Sequence, residues 1–328
     1  MKKITLGHGQ FSVDIWSRGA CVNDVRMPDR EGNIASVVLG YDREEDRLAG
    51  RAYLGEICGP FANRIAPGGY VIDGKRFTPD LNDNGTATLH GGSRGWSTQD
   101  WEIEESDSDT ARLSLDWEDP GFASPIHAEV EYRLDGWSLT HTVRATSDQA
   151  TVLSVVSHPY FNLSGTSNPI DDHELCVAAS AYLPTDEAAI PLPDAPWPVQ
   201  GTPFDFRQPQ VVGESLRGQD PQIIAHAGID HALILDGEGM RLAASLRHPG
   251  TGRRLEISTD CPALQVYTAQ NLDDRSVTHP TGAGVPRSGI ALETEEYPDA
   301  PRRPDFPSVL VRPGQTYART TTWHFSVE

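Results

Sequence analysis

Positive charge is what this chain has little of. Lys and Arg together number 27 against 47 Asp and Glu, a formal charge of −20 over 328 residues. A surface of that sign repels nucleic acid and anionic lipid, and it disfavours phosphorylated substrates unless arginines cluster locally. A neutral small molecule is the better fit. Cysteine is also scarce: Cys21, Cys58, Cys176 and Cys261 are dispersed, with no CxxC pair and none of the spacings of structural zinc. They are expected to be buried free thiols in a reducing compartment. No apolar run is long enough to span a bilayer, and Met1-Lys2-Lys3 leads into Gly7-His8-Gly9-Gln10 rather than an apolar signal core. A soluble, cytoplasmic protein is predicted. Amphipathic helical patterns of useful length are nearly absent, and there is no internal repeat or low-complexity run.

What is present is alternation broken by turn residues. Phe11 to Trp16 and Ala20 to Met27 are predicted strands, with Pro28 to Asn33 as the turn after them. Asp73-Gly74 is a two-residue hairpin turn that pairs Ile72 with Lys75 and Tyr70 with Phe77. Asp135-Gly136 is predicted to close a second hairpin, which sets His141 on its apolar face opposite Val130. Further strands are predicted near Ala232 to Leu235, Leu242 to Arg247, Arg254 to Ser258, Leu264 to Tyr267, Val309 to Val311 and Thr320 to Val327. Pro184 to Pro209 is too rich in proline for helix or central strand. Its length suggests a linker, but Ile190, Leu192, Trp197, Phe204 and Phe206 favour a loop packed on one domain. The fold class is all-β, a sandwich or barrel.

The chain centres on Val155-Val156-Ser157-His158-Pro159-Tyr160-Phe161-Asn162. Alternation puts Val152, Ser154, Val156, His158 and Tyr160 on one side of a strand, so the imidazole points with an apolar face. A half-buried histidine is poised to exchange protons near neutral pH. Pro159 removes a ladder donor and marks a strand end, an edge or a bulge. The plain alternative is a core histidine satisfied by a backbone carbonyl.

Four other stretches carry polar groups that packing alone does not explain. Gly59 to Ile65 holds Asn63 and Arg64, for which a structural salt bridge is the simpler role. His90-Gly91-Gly92 lets backbone approach a ligand, with Trp96 as an apolar platform or as ordinary core. Asp230 and His231 stand just before a strand. Gly289 to Pro298 runs into three carboxylates, of which Glu293 is expected to point inward and Glu295 and Glu296 to form a solvated acidic edge. No two of these candidate ligands are spaced to share one face, so no metal is expected. Nor does any stretch match the Gly-x-Ser-x-Gly nucleophile elbow. The set suits metal-free proton exchange on a hydroxylated molecule.

Taken together, these pieces resemble the aldose 1-epimerase (galactose mutarotase) family. The matching segments are Ala62-Asn63-Arg64-Ile65, Leu89-His90-Gly91-Gly92 with Gly95-Trp96, His158 to Leu163, Gly201 to Arg207, Asp230-His231, Gln265 to Thr268, Leu292-Glu293-Thr294 with Pro298 to Pro301, and Arg312 to Tyr317. The resemblance implies a galactose mutarotase-like supersandwich over residues 1–328 as a single domain, with the proline-rich stretch as a loop inside it. It implies Glu293 as general base at the anomeric hydroxyl and His158 as general acid at the ring oxygen. His90, Arg64 and Asp230 match substrate-binding positions, with Asn63 and Tyr160 as neighbours that shape the pocket. The implied partner is a free monosaccharide, no cofactor is needed, and the protein acts as a monomer or homodimer.

Several residues depart from the family pattern. Ser157 stands where Asn is usual and Pro159 where Ser or another small residue is common. Pro60 replaces a frequent Arg, and Ala269-Gln270 replace Gly-Asn. Glu56 and Glu296 add charge near matched motifs. The acid, base and binding positions are intact, so these changes bear on which aldose is preferred. The competing readings are a hexose-6-phosphate 1-epimerase drawing on Arg64, Arg94 and Arg207, a sugar-binding protein without catalysis, and a polysaccharide lyase, which lacks its helical segment here.

Overall fold

Two large antiparallel sheets hold most of the strand residues. The computed structural model describes residues 1–50, 52–273 and 284–328. The larger sheet has nine strands in the spatial order Glu102–Ser106, Thr110–Trp117, Ile126–Asp135, Ser138–Ser147, Tyr317–Val327, Arg253–Thr259, Arg241–Arg247, Glu174–Val177 and Gln210–Val211. Its outer strand Glu102–Ser106 is largely exposed and holds three glutamates, a charged edge that discourages pairing with another sheet. The second sheet orders six strands as Tyr160–Phe161, Ile290–Glu295, Ala263–Tyr267, Asp230–Leu235, Ala179–Tyr182 and Trp197–Pro198. A four-stranded sheet from Lys3–His8 to Ile34–Ser36 opens the chain.

Alternation explains the larger sheet. Ile126–Asp135 and Ser138–Ser147 bury every second side chain, so one face is core and the other meets solvent. Ile290–Glu295 is different, because all six of its residues are buried. Its rear face packs on the nine-stranded sheet, Thr294 Oγ1 lying 2.7 Å from Thr321 Oγ1, and on the neighbouring strand Phe161 meets Trp323 edge-on at 5.4 Å. One hydrophobic cluster takes in residues from Ile4 to Phe325. No helix among the described residues is long and apolar enough to cross a membrane.

The hairpin at Asp73-Gly74 has the expected register, Tyr70 opposite Phe77 and Ile72 opposite Lys75. The second hairpin does not. Asp135 pairs with Ser138, so the two turn residues are Gly136 and Trp137, and His141 faces Tyr132 while Val130 faces Val143. Gly136 has φ +59 and so takes the first central position, where two-residue turns of type II′ demand glycine. The central segment is likewise not one strand. Thr151–Val152, Val156–Ser157 and Tyr160–Phe161 are three short strands in three different sheets, and His158 sits in the break before Pro159.

Glu295 and Glu296 are buried, at 0% and 5% exposure, and do not form a solvated edge. Each has a partner remote in sequence: Asn63 Nδ2 donates to Glu295 Oε1 at 3.1 Å, and Arg319 Nε donates to Glu296 Oε1 at 2.7 Å. Cys21, Cys58 and Cys261 are buried free thiols, whereas Cys176 is half-exposed. The proline-rich stretch is a packed loop: Phe204 and Phe206 are fully buried, and Phe204 stacks on Tyr182 at 4.3 Å.

Candidate active site

The register of the six-stranded sheet assembles most of the site. Tyr160 pairs with Ala291, and extending that register by two residues sets His158 beside Glu293. Glu293 in turn pairs with Gln265, while Ala291 pairs with Tyr267 and Tyr267 with Asp230. Residues two apart on a strand share a face. One face of the sheet therefore presents His158, Glu293 and Gln265 in one row and Tyr160, Tyr267 and Asp230 in or beside the next. All six line a cavity of about 620 Å³, within the range of small-molecule sites.

The cavity's other wall comes from two loops that lock onto each other. Asn63 and His90 both adopt left-handed backbone, φ +58 and +52. Asn63 N–H donates to His90 Nδ1 at 3.2 Å, and His90 N–H donates to Asn63 O at 3.1 Å. Asn63 Oδ1 also accepts from Arg64 N–H at 2.8 Å. Asn63 is thus a hub that ties buried Glu295 to His90 and Arg64. The paired left-handed turns and the bonds between them fix the two loops against each other. His158 is clamped from both sides of its own peptide unit, its N–H donating to Glu56 O at 3.0 Å and its O accepting from Gly55 N–H at 2.8 Å.

At the floor of the cavity His158 Nε2 lies 3.4 Å from Glu293 Oε1, with both side chains buried. Burial pushes the Glu293 carboxyl well above its usual range, Asp230 adding to the rise and Arg64 opposing it. Burial pushes His158 down to about 4. Both shifts favour the uncharged forms, a neutral imidazole and a carboxyl that keeps its proton to higher pH. Glu293 Oε2, His158 Nδ1 and Gln265 Oε1 are buried without a hydrogen-bond partner. Uncompensated polar atoms are costly, and these three belong to side chains that line the cavity. Tyr53, at φ +57, lays its ring 4.6 Å from that of His90 and 6.1 Å from that of His158.

Two clusters bring possible metal ligands within 4.8 Å of one another: His90, His158 and Glu293, and separately Asp172, His173 and His248. Hydrogen bonding argues against an ion at either. His90 Nδ1 accepts a backbone N–H, so its Nε2 carries the proton and donates into the cavity. That leaves two ligands where catalytic zinc takes three from the protein. In the second cluster His173 Nε2 accepts from Leu163 N–H and His248 Nδ1 from Thr251 N–H, so their other nitrogens donate to Asp172.

All seven residues singled out in the sequence, Asn63, Arg64, His90, His158, Tyr160, Asp230 and Glu293, line the one cavity. Trp96 does not; it is fully buried against Trp101 and leaves its platform role unfilled. Arg94 and Arg207 line separate surface grooves and pair with Asp119 and Asp205. The sequence reading missed Tyr53, Asp83, Gln265 and Tyr267. Gln265 and Tyr267 lie within the segment Gln265 to Thr268, and the two-residue period of their strand is the signal that turns both inward.

A family model described as aldose 1-epimerase matches residues 2–324. Galactose mutarotase of Bos taurus is 39% identical over 332 aligned residues, covering 100% of this chain and 94% of the relative. Aldose 1-epimerase of Escherichia coli K12 is 34% identical over 323 residues, covering 96% and 92%. The crystal structure of a GalM/aldose epimerase homologue from C. elegans superposes with a TM-score of 0.91 at 25% identity and 99% coverage of both chains. The all-β architecture is accordingly galactose mutarotase-like.

Proposed function

The chain belongs to the aldose 1-epimerase family, and we propose on that premise that it interconverts the α and β anomers of a free aldose such as galactose or glucose. The observation that carries this reading is the buried pair His158 Nε2–Glu293 Oε1 at 3.4 Å, set among groups suited to sugar hydroxyls. The anomeric carbon of a pyranose bears two oxygens, and two side-chain atoms this close can each serve one of them.

In the ionised form of the pair, with the proton on His158, Glu293 takes the proton from the anomeric hydroxyl while the imidazolium protonates the ring oxygen. The bond between the anomeric carbon and the ring oxygen breaks and the electrons left at the hydroxyl oxygen form the aldehyde. Rotation about C1–C2 presents the other carbonyl face. The freed hydroxyl then adds to it, returning its proton to His158 while Glu293 returns the other to the new anomeric oxygen. Each positioned proton donor or acceptor typically supplies about 10²–10⁴-fold. His90 Nε2–H and Arg64 donate to substrate oxygens; Asp230 and Gln265 accept from and donate to its hydroxyls.

The hexose-6-phosphate alternative needs arginines gathered about one phosphate, but Arg94 and Arg207 face other grooves. A binding module has no use for a proton-sharing acid and base. In this reading the chain is one catalytic unit, a monomer or homodimer. Its free cysteines favour the reducing cytoplasm, and its charge disfavours membrane and nucleic acid.

The test is polarimetry from pure α-D-galactose and α-D-glucose. Wild type accelerates mutarotation over buffer, and Glu293→Gln and His158→Asn each lose about 10²-fold or more with the fold retained by circular dichroism. No acceleration with any of a panel of free aldoses overturns the reading.

A further inference from the structure

We propose that Asp83 determines specificity: by pairing with Arg64 it cancels the positive charge of the cavity, so the site selects neutral aldoses against aldoses that carry a carboxylate or a phosphate. This rests on the epimerase reading above.

Arg64 is the one Lys or Arg among the described residues lining the cavity. A free guanidinium there would offer its two-pronged edge to an anion, as arginines do for carboxylates and phosphates. Arg64 does not have that edge free. Its Nε donates to Asp83 Oδ2 at 2.8 Å, and its Nη1 lies 3.5 Å from Asp230 Oδ2. Asp230 is itself held by Gln265, whose Nε2 donates to Asp230 Oδ1 at 2.6 Å. The three charged side chains are only 15–19% exposed, so water screens them weakly. An anionic sugar therefore meets two carboxylates, Asp83 and Asp230, against one guanidinium, whereas a neutral hydroxyl needs only the guanidinium hydrogens that remain.

Nothing in the packing requires an acid at position 83. Its second oxygen bonds only the exposed Asn84 side chain. Its backbone is what shapes the turn: Asp83 N–H donates to Ala87 O, Asp83 O accepts from Thr86, and Asn84 and Gly85 follow in left-handed conformation at φ +50 and +75. The turn therefore fixes where the carboxylate stands, and the carboxylate fixes the charge that the sugar meets. Asp83→Asn keeps the shape and a hydrogen-bond acceptor while removing one of the two carboxylates that offset the arginine's charge.

The experiment is calorimetric binding of D-galactose, D-galacturonate and D-galactose 6-phosphate to wild type, Asp83→Asn and Asp83→Ala, at low and high salt. Asp73→Asn serves as the control for net charge, since Asp73 pairs with Arg312 on an exposed hairpin. The affinity of at least one anionic sugar relative to galactose is expected to rise about tenfold in Asp83→Asn, less in high salt, and not to move in Asp73→Asn. If all three sugars weaken together, or the ratio stays at its wild-type value in both Asp83 variants, Asp83 merely orients Arg64 and the proposal falls. Mutarotation of galactose by wild type is followed in parallel. Should wild type neither bind nor interconvert galactose, the epimerase reading fails on its own account, and the charge filter is then judged by whether Asp83→Asn creates galacturonate binding.

Discussion

The proton shared by His158 and Glu293 sets the pH behaviour of single residues. A histidine in water gains its proton near 6.5, but burial moves His158 down to about 4 while Glu293 is held up. In the productive form the pair has one proton. As pH falls a second proton arrives, Glu293 can no longer act as a base, and the rate falls. The acid limb of kcat/KM for galactose is therefore expected nearer pH 4 than pH 6.5; a limb at or above 6.5 in stopped-flow polarimetry would contradict this account of the pair. The apparent values belong to the pair and not to either residue. His158 and Glu293 were legible in the sequence because each stands in a short motif with turn or strand signals around it. Asp83 was not, since an acid in Asn82-Asp83-Asn84-Gly85 has the look of an ordinary turn and its partner Arg64 lies nineteen residues away.

At the scale of elements, the strand Ile290–Glu295 and the residue after it show where alternation fails as a guide. A carboxylate at the end of a strand is usually solvated, yet Glu296 is 5% exposed because Arg319, on the last strand, reaches it. That partner cannot be found by local pattern. Arg319→Met is expected to cost about 1–3 kcal/mol in urea unfolding at neutral pH, a broken buried pair discounted for the partial exposure of Arg319. Burial already raises Glu296 above its unfolded value. The unpaired carboxylate destabilises the fold when ionised, so the deficit of the variant shrinks as pH falls and Glu296 takes up a proton. An unchanged deficit at low pH would assign the loss to packing. The hairpin at Gly136 teaches a related lesson: a dipeptide that favours turns does not say which two residues occupy its centre, and the left-handed φ of Gly136 decided it. Gly136→Ala should lower stability by roughly 1 kcal/mol, which chemical denaturation resolves.

For the whole molecule, composition excluded more than it identified. A charge of −20 argues against polyanionic partners but is silent on fold. The all-β class was visible in the short alternating segments, and the sheet order was not, because the strands that carry Glu293, Gln265 and Asp230 pair across intervening stretches of quite different length. A neutral substrate feels little of the global field. The kcat/KM for galactose is thus expected to change by less than about twofold between low and high salt, a range over which steering of a charged ligand would vary strongly. A steep salt dependence in the same assay would point to a charged physiological substrate.

The pair at 3.4 Å also has a thermodynamic corollary. Because ring closure returns to His158 the proton it gave and takes from Glu293 the proton it received, the catalyst begins and ends each turnover in one state, whichever anomer entered. Detailed balance then ties the ratio of kcat/KM for the two anomers to their equilibrium ratio in solution, and no substitution at His158, Glu293 or Asp83 can alter that ratio. Such a protein stores no preference; it shortens the relaxation time of a mixture. Its benefit appears only when another reaction drains one anomer faster than water alone restores it.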